Sequence, residues 1–83
     1  MLWGKGGGQT LIVLFDANKL QAKRKNLNLT QAVLAEKADT SERYVRSLEA
    51  SEKLNPSAIL VFRLSRVLQL TMDDLMTVKT EDS

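Results

Sequence analysis

The sequence predicts a small all-α domain of five helices, preceded by a short strand. Five segments, each with apolar residues that can lie on one side of a helix, follow a Ser, Thr or Asp residue, and these residue types cap helix N-termini. The body of the chain contains few helix breakers, because it has one proline and four glycines, three of them consecutive at 6–8. The length of 83 residues suits one compact core.

The first 16 residues are expected to lie outside the helical domain, as a flexible arm and a short apolar strand. Residues 1–9 contain the glycine run, and glycine loses more conformational entropy than other residues when it is ordered. Residues 10–15 (TLIVLF) are apolar and rich in β-branched side chains, which predicts a buried or paired strand. An isolated strand is unstable, so this one needs a cover. Either it folds back over the fourth helix of its own chain, or two chains pair through it.

Each helix is predicted to begin directly after its capping residue. The caps and spans are Asp16 for 17–26, Thr30 for 31–38, Ser41 for 42–50, Ser57 for 58–69 and Thr71 for 72–77. Asn28 fits the left-handed position after the first helix, which asparagine tolerates better than most residues. Asp73 and Asp74 fall in the first turn of the fifth helix, where the helix dipole favours acidic side chains. The predicted domain is therefore 17–77, followed by an acidic tail at 78–83.

Charge is unevenly distributed along the chain. Residues 17–70 carry ten Lys or Arg and five acidic residues, whereas residues 71–83 carry one Lys and four acidic residues. A basic body suits a polyanionic partner better than the net charge of +2 implies. Lysine-rich helices that serve only solubility give the same pattern, so charge alone does not identify the partner.

The residue types that are missing exclude several classes of function. The chain has no Cys and no His, which removes the usual zinc sites and the Ser-His and Cys-His nucleophile pairs. No paired carboxylates and no glycine-rich phosphate loop occur in a suitable context, so we expect no enzyme, cofactor, metal or small-molecule substrate. No apolar segment approaches the roughly 18 residues that span a bilayer, and no signal peptide is evident. We therefore expect a cytoplasmic protein without a membrane partner.

The segment 29–49 (LTQAVLAEKADTSERYVRSLE) is predicted to contain two helices joined by a short turn. It resembles the DNA-binding domains of the Cro/C1-type repressor family, also called the XRE family. The matching residues, in consistent register, are Leu20, Arg24, Gln31, Leu34, Ala35, Glu36, Lys37, Ser41, Val45, Leu48, Glu49, Asn55, Pro56, Asp74 and Leu75. The resemblance implies a compact five-helix repressor-like DNA-binding domain. Its helix-turn-helix, residues 30–49, would bind double-stranded DNA with the second helix in the major groove.

Three positions depart from the family pattern. Asp39 in the turn and Ser51 after the third helix stand where the family often has glycine. Aspartate adopts the left-handed conformation less readily than glycine but better than a branched residue. Val33 stands where the family often has Glu, so the reciprocal capping box of the second helix is lost. We expect these changes to make the turn slightly less stable without breaking the motif.

The outward arc of the helix at 42–50 contains Arg43, Arg46 and Ser47. Arginine donates two hydrogen bonds to guanine O6 and N7, and serine bonds either type of base edge. The same residues would also suit a solvated face, but the resemblance implies base contacts at Glu42, Arg43 and Ser47. Glu42 has two roles open to it, because it can accept from cytosine N4 or pair with Arg46 four residues on.

Other polar residues are candidates for the DNA backbone or for structure. The resemblance implies a phosphate contact from Gln31, whose N–H at the first helical position has no partner within the helix. Further backbone candidates, for which simple exposure is nearly as plausible, are Ser41, Tyr44, Lys53 and Asn55. The resemblance also implies a salt bridge between Arg24 and Glu49 that ties the first helix to the end of the third.

The helix at 58–69 is apolar around most of its circumference, which leaves residues such as Ile59 and Leu60 without an obvious place in one core. Together with the strand it forms a candidate dimer surface: Leu11, Ile12, Val13, Leu14, Phe15, Ile59 and Leu60. We expect a homodimer, since repressors of this type commonly bind two-fold operators. The alternative function is a protein-interaction module that uses the surface of residues 10–15 and 59–67.

Overall fold

The computed structural model describes the backbone of residues 9–52 and 55–82 and the side chains of residues 13–52 and 55–77. Four α-helices and a two-stranded sheet account for most of this part of the chain. In order, the elements are β1 (Gln9–Phe15), α1 (Ala17–Asn26), α2 (Gln31–Lys37), α3 (Glu42–Glu49), α4 (Ala58–Leu68), a 3₁₀ turn (Asp73–Leu75) and β2 (Met76–Asp82).

The four α-helices begin at the predicted capping residues. Each cap accepts a hydrogen bond from the backbone N–H three residues on, which satisfies one of the donors left free at a helix start. The bonds are Lys19 N to Asp16 Oδ1 (2.9 Å), Val33 N to Thr30 Oγ1 (3.1 Å), Tyr44 N to Ser41 Oγ (3.1 Å) and Leu60 N to Ser57 Oγ (3.2 Å).

The four α-helices also end alike. A non-glycine residue with positive φ follows each of them: Asn28 (58°), Asp39 (59°), Ser51 (63°) and Gln69 (61°). The next N–H then bonds back to a carbonyl five residues earlier, as from Leu29 N to Arg24 O at 3.0 Å and from Leu70 N to Ser65 O at 2.8 Å. This is the Schellman arrangement, which satisfies the last carbonyls of a helix. The left-handed conformation predicted for Asn28 is confirmed.

The predicted fifth helix at 72–77 is wrong. One 3₁₀ turn, Asp73–Leu75, is followed at Met76 by extended backbone with φ −122° and ψ 144°. Thr71 still acts as a cap, since its hydroxyl accepts from Asp74 N at 3.1 Å. A six-residue helix is marginal alone, and the β-branched Thr77 and Val78 favour an extended chain.

The predicted strand at 10–15 is present, and its partner is β2 of the same chain. The two strands run antiparallel, in a register from Phe15 opposite Met76 to Gln9 opposite Asp82. Residues 78–82, which we expected in an acidic tail, therefore lie in a strand. In place of the expected cover by α4, β1 has a partner strand in its own chain, and pairing with a second chain stays a prediction.

The base of the two-stranded sheet is bonded to the helical domain. Asp16 N donates to Leu75 O at 2.7 Å, and Thr77 Oγ1 donates to Asp16 Oδ2 at 3.4 Å. Phe15 is 5% exposed and packs in the core, whereas Val13, two residues earlier, is 47% exposed. The sheet therefore leaves the domain surface within two residues of its base.

One apolar core joins the helices, the 3₁₀ turn and the base of the sheet. Its members include Leu20, Leu34, Val45, Leu48, Val61, Leu64, Leu68 and Leu75. Phe15 and Leu60 also belong to it, which corrects their assignment to a candidate dimer surface, because both are buried within one chain. Ile59 remains exposed at 62%, Leu14 is half-buried, and the side chains of Leu11 and Ile12 lie outside the described ones.

Candidate nucleic-acid interface

Helix α3 is held by its apolar side against the core. Val45 and Leu48 are fully buried and pack with Leu34 and Ala38 of the preceding helix and turn. The turn between α2 and α3 passes through Asp39 in the left-handed conformation, at the position where the family often has glycine. Packing on one side leaves the opposite side of α3 exposed and fixed in direction.

The exposed side of α3 carries the predicted base-contacting residues. Glu42, Arg43 and Arg46 are exposed and Ser47 is half-buried. Within the described residues, the guanidinium of Arg43 has no ion-pair partner. Arg43 is therefore the arginine on this face that is available for a bidentate contact without first breaking a protein bond.

The other polar groups of this face are engaged with each other. Arg46 Nη2 donates to Glu42 Oε2 at 3.2 Å, in a pair whose side chains are 60% and 49% exposed. Such an exposed i,i+4 pair contributes only a few tenths of a kcal/mol, so DNA could readily break it. Ser47 Oγ donates to Arg43 O at 3.1 Å, which leaves its oxygen able to accept another bond. Of the two roles left open for Glu42, the structure contains the pairing with Arg46 in the free chain.

A buried polar cluster centred on Glu49 fixes the end of α3. Arg24 donates to Glu49 through Nε at 2.6 Å and through Nη2 at 3.0 Å. Gln31 Nε2 and Gln21 Nε2 donate to the same carboxylate at 3.0 Å and 3.2 Å. Arg24 Nη1 also donates to Leu29 O at 2.8 Å, so the cluster joins α1, α2 and α3. The predicted Arg24–Glu49 pair is thus present, as one part of a larger network.

The cluster keeps Glu49 ionised although its side chain is only 2% exposed. Burial raises the pKa of the carboxyl, but the hydrogen bonds from Arg24, Gln31 and Gln21 outweigh burial, and the net pKa is lowered. Every donor in the cluster lies on a different turn or helix from Glu49. The carboxylate therefore holds the relative positions of the three helices.

Gln31 makes a structural hydrogen bond that the sequence did not predict. Its side-chain amide donates one hydrogen bond to Glu49, so only one amide N–H remains for another acceptor. Its backbone N–H stands at the first position of α2, where a helix has no internal partner for it. Sequence reasoning missed Gln21, although its place three residues before Arg24 puts both side chains on one face of α1.

The remaining backbone candidates lie around the exposed side of α3. Ser41 is exposed and caps the helix, and Tyr44 is half-buried with its ring against the core. Asn55 is exposed at the end of the loop before α4. Lys53 lies outside the described residues.

The described residues contain neither a metal site nor a membrane-spanning helix. Among the described side chains, those of residues 13–52 and 55–77, no group of three or more His, Cys, Asp or Glu residues could hold a metal ion. Within the described backbone, residues 9–52 and 55–82, no helix has the length and apolar character needed to cross a membrane.

The fold and this site define a small helical domain with an exposed, arginine-bearing helix as the second element of a helix-turn-helix. The sequence profile of the helix-turn-helix family matches residues 20–75. The chain therefore belongs to this family, of the Cro/C1 or XRE type, whose members are DNA-binding transcription regulators. The resemblance inferred from the residues is confirmed, and no curated protein matches the chain.

Solved structures of regulators have the same fold. The biofilm regulator SinR of Bacillus subtilis, solved in complex with DNA, is 29% identical, with a TM-score of 0.68 over 71% of this chain and 94% of that chain. The P22 c2 repressor, solved with a synthetic operator, is 30% identical, with a TM-score of 0.68 over 71% of this chain and 88% of its own. The restriction-modification controller C.AhdI of Aeromonas hydrophila is 24% identical, with a TM-score of 0.67 over 71% and 88%, a likeness of fold alone.

Proposed function

We propose that this chain is a transcription regulator that binds double-stranded DNA sequence-specifically and inserts α3 into the major groove. One observation supports the proposal most directly. The exposed side of α3 carries Arg43 and Arg46, while its opposite side is fully buried and its end is held by the Glu49 cluster. Insertion into the major groove requires a basic helix whose orientation is fixed by the rest of the domain.

The residues of α3 divide by the bonds they already make. Arg43, near the start of the helix, bonds guanine O6 and N7. Arg46 and Glu42 exchange their mutual bond for base contacts, in which Arg46 donates and Glu42 accepts from cytosine N4. Ser47 accepts from a base amino group through its free lone pair. Arg43 therefore contributes most to sequence preference.

The DNA backbone is held at the rim of this surface. The N-terminus of α2 presents the Gln31 N–H to a phosphate, and the remaining amide N–H of its side chain adds a second donor. The other contacts to the backbone are assigned to Ser41, Tyr44, Lys53 and Asn55. These contacts set register and orientation without selecting sequence.

The wider properties of the protein follow from this role. Residues 17–77 act as the DNA-binding domain of a cytoplasmic, non-enzymatic regulator. Two copies bind a two-fold symmetric operator, as Val13 and Ile59, exposed at 47% and 62%, leave apolar surface outside the core for a second protomer.

DNA binding by two alanine variants tests the assignment of roles. Sites are first selected from a random duplex library with the wild-type chain. Arg43→Ala should then weaken binding to the selected site by about ten- to a hundredfold and leave random DNA nearly unaffected, because a bidentate base contact contributes about 1–3 kcal/mol. Gln31→Ala should weaken selected and random DNA by similar factors.

Arg66→Ala is the matched control, since Arg66 is an exposed arginine of α4. It removes the same charge from a face that does not contact DNA in this proposal, so the preference for the selected site should persist. Equal losses from Arg43→Ala and Arg66→Ala on the selected site would contradict base contact by α3. The affinity of the wild-type chain should also fall steeply with salt concentration.

A second function, as a protein-interaction module, is favoured by the surface of α4. Ile59 is 62% and Phe62 is 47% exposed, and Arg66 lies over the Phe62 ring at 5.5 Å from its centroid. Adjacent exposed apolar side chains are typical of a protein contact. Absence of DNA binding even at low salt would favour this function over the first.

A further inference from the structure

Strand β1 has one edge that no other described strand covers. The sheet contains two strands, and β1 pairs with β2 along its whole length from Gln9 to Phe15. Half of the backbone hydrogen-bonding groups of a strand point away from a single partner. The outer edge of β1 is therefore a row of backbone donors and acceptors that is open to another strand.

The two edges of this sheet differ in their protection. Natural edge strands avoid pairing with other chains by carrying charges, proline or bulges. The sequence of β1 (QTLIVLF) contains no charged residue and no proline, whereas β2 carries Lys79, Glu81 and Asp82. The ladder is also continuous over seven residue pairs, without a bulge. The edge of β1 is thus the one suited to a further strand.

The described side chains support the sheet at its base. Phe15 is buried and Asp16 bonds to Leu75 O, but Val13 is already 47% exposed. A two-stranded sheet without cover is marginally stable in water, whereas three or more strands with an apolar face are stable. A second copy of β1 supplies the missing strands, and its uncharged sequence brings no like charges together.

We propose that β1 of one protomer pairs antiparallel with β1 of a second copy, in a four-stranded sheet of order β2-β1-β1′-β2′. An antiparallel pair of identical strands has a two-fold axis, so the contact is closed and stops at the dimer. The inference deepens the homodimer of the proposed function and rests on it in one respect. The axis would relate two copies of α3, which bind half-sites about 34 Å apart.

Single-cysteine variants test the pairing without DNA. The chain has no cysteine, so any disulfide in a variant joins two protomers. In an antiparallel pair of identical strands, only the one or two adjacent residues at the axis face their own copies. Cysteines introduced singly at 11–14 should therefore crosslink efficiently at one or two adjacent positions, while Val78→Cys, opposite Val13 on β2, should not. Crosslinking at no position of β1, or equally at position 78, would overturn the proposal.

A pair of lysine variants distinguishes a dimer contact through the edge of β1 from one through a face of the sheet. Val13→Lys should raise the dimer dissociation constant by at least about tenfold, because it places a charge on each of two adjacent β1 strands. Val78→Lys places the same charge opposite it on β2 and should leave the dimer intact. Sedimentation equilibrium distinguishes the 9.3 kDa monomer from a dimer, and circular dichroism checks that both variants fold.

The lysine variants distinguish pairing through the β1 edge from the other possible arrangements. A monomeric Val13→Lys with a dimeric Val78→Lys supports pairing through β1. Dissociation of both variants would contradict pairing through the β1 edge and would indicate a contact through a face of the sheet. A wild-type chain that is monomeric at tens of micromolar would contradict dimerisation itself. Neither the crosslinking nor the sedimentation involves DNA, so failure of DNA binding leaves their results unchanged.

Discussion

At the scale of single residues, Glu49 determines how well the binding surface is preorganised. A carboxylate that is 2% exposed is stable only when several donors face it, and Arg24, Gln31 and Gln21 supply them. The resemblance of the sequence to the Cro/C1 family was enough to place the pair Arg24 and Glu49. The sequence did not assign the two glutamines to this cluster. A glutamine amide can bond many polar groups, and only the fold determines which of them lies within reach.

Removal of Arg24 should destabilise the fold markedly. Arg24→Ala leaves the Glu49 charge buried without its bidentate partner, which lowers the free energy of unfolding by about 3 kcal/mol. In a domain of this size that corresponds to a fall in Tm of more than about 10 °C. Lys25→Ala, at the exposed neighbouring position, should change stability by less than about 0.5 kcal/mol. Superimposable melting curves for Arg24→Ala and the wild type would contradict a structural role for the pair.

The stability should depend on pH through Glu49. Its pKa is lower in the folded chain than the ordinary value of 4.5, so its contribution is complete above that value and is lost as the pH falls through the lowered pKa. Glu49→Gln lacks this contribution at every pH. Urea unfolding at a series of pH values should therefore show the wild type losing its advantage over Glu49→Gln below pH 4.5. An advantage that stays constant down to strongly acidic pH would be inconsistent with a lowered pKa.

At the scale of elements, the helices have favourable N-caps, whereas their C-terminal ends are mildly strained. The caps Asp16, Thr30, Ser41 and Ser57 are favourable residues, whereas the left-handed residues after the helices all carry a Cβ atom. The left-handed conformation costs a residue with a Cβ atom about 1–2 kcal/mol, and asparagine and aspartate tolerate it best. Ser51 and Gln69 are therefore less suited to the left-handed conformation than Asn28 and Asp39.

Replacing Gln69 by glycine should stabilise the protein. Gln69→Gly removes the Cβ strain at φ 61°, and we expect a net gain of about 0.5–1 kcal/mol after the greater freedom of glycine in the unfolded chain. Gln69→Ala is the control, because it shortens the side chain but keeps the Cβ atom and should give no gain. Chemical denaturation of the three proteins measures the difference. Equal gains from both variants would assign the effect to the glutamine side chain instead.

The elements also show which local signals suffice for prediction. Helices α1 to α4 follow from a cap and from apolar residues at helical spacing, both of which act within a few residues. The end of the chain does not, because Thr71, Asp73 and Asp74 resemble a helix start and do form a capped turn. The β-branched Thr77 and Val78 then compete with helix continuation, and the presence of β1 as a partner decides the outcome.

At the scale of the whole molecule, the helical domain was predictable and the use of its apolar surplus was not. Leu60 was counted as surplus on α4, yet it is buried at the edge of the one face that also carries Val61, Leu64 and Leu68. Phe15 was counted as part of a separate strand, yet it completes the core. Both placements depend on how elements far apart in sequence meet, which no pattern within one helix or strand reports. The same applies to the pairing of β1 with β2.

That pairing also determines the order in which the chain can fold. Arg24 and Glu49, which join α1 to α3, are 25 residues apart, whereas Asp16 and Thr77 are 61 residues apart and meet only after a longer loop has closed. We therefore expect the sheet to form after the helices, which leaves β1 unpaired for an interval. During that interval the same uncharged strand is exposed to every other copy in solution. The rate of loop closure thus sets how long the protein is open to misassembly.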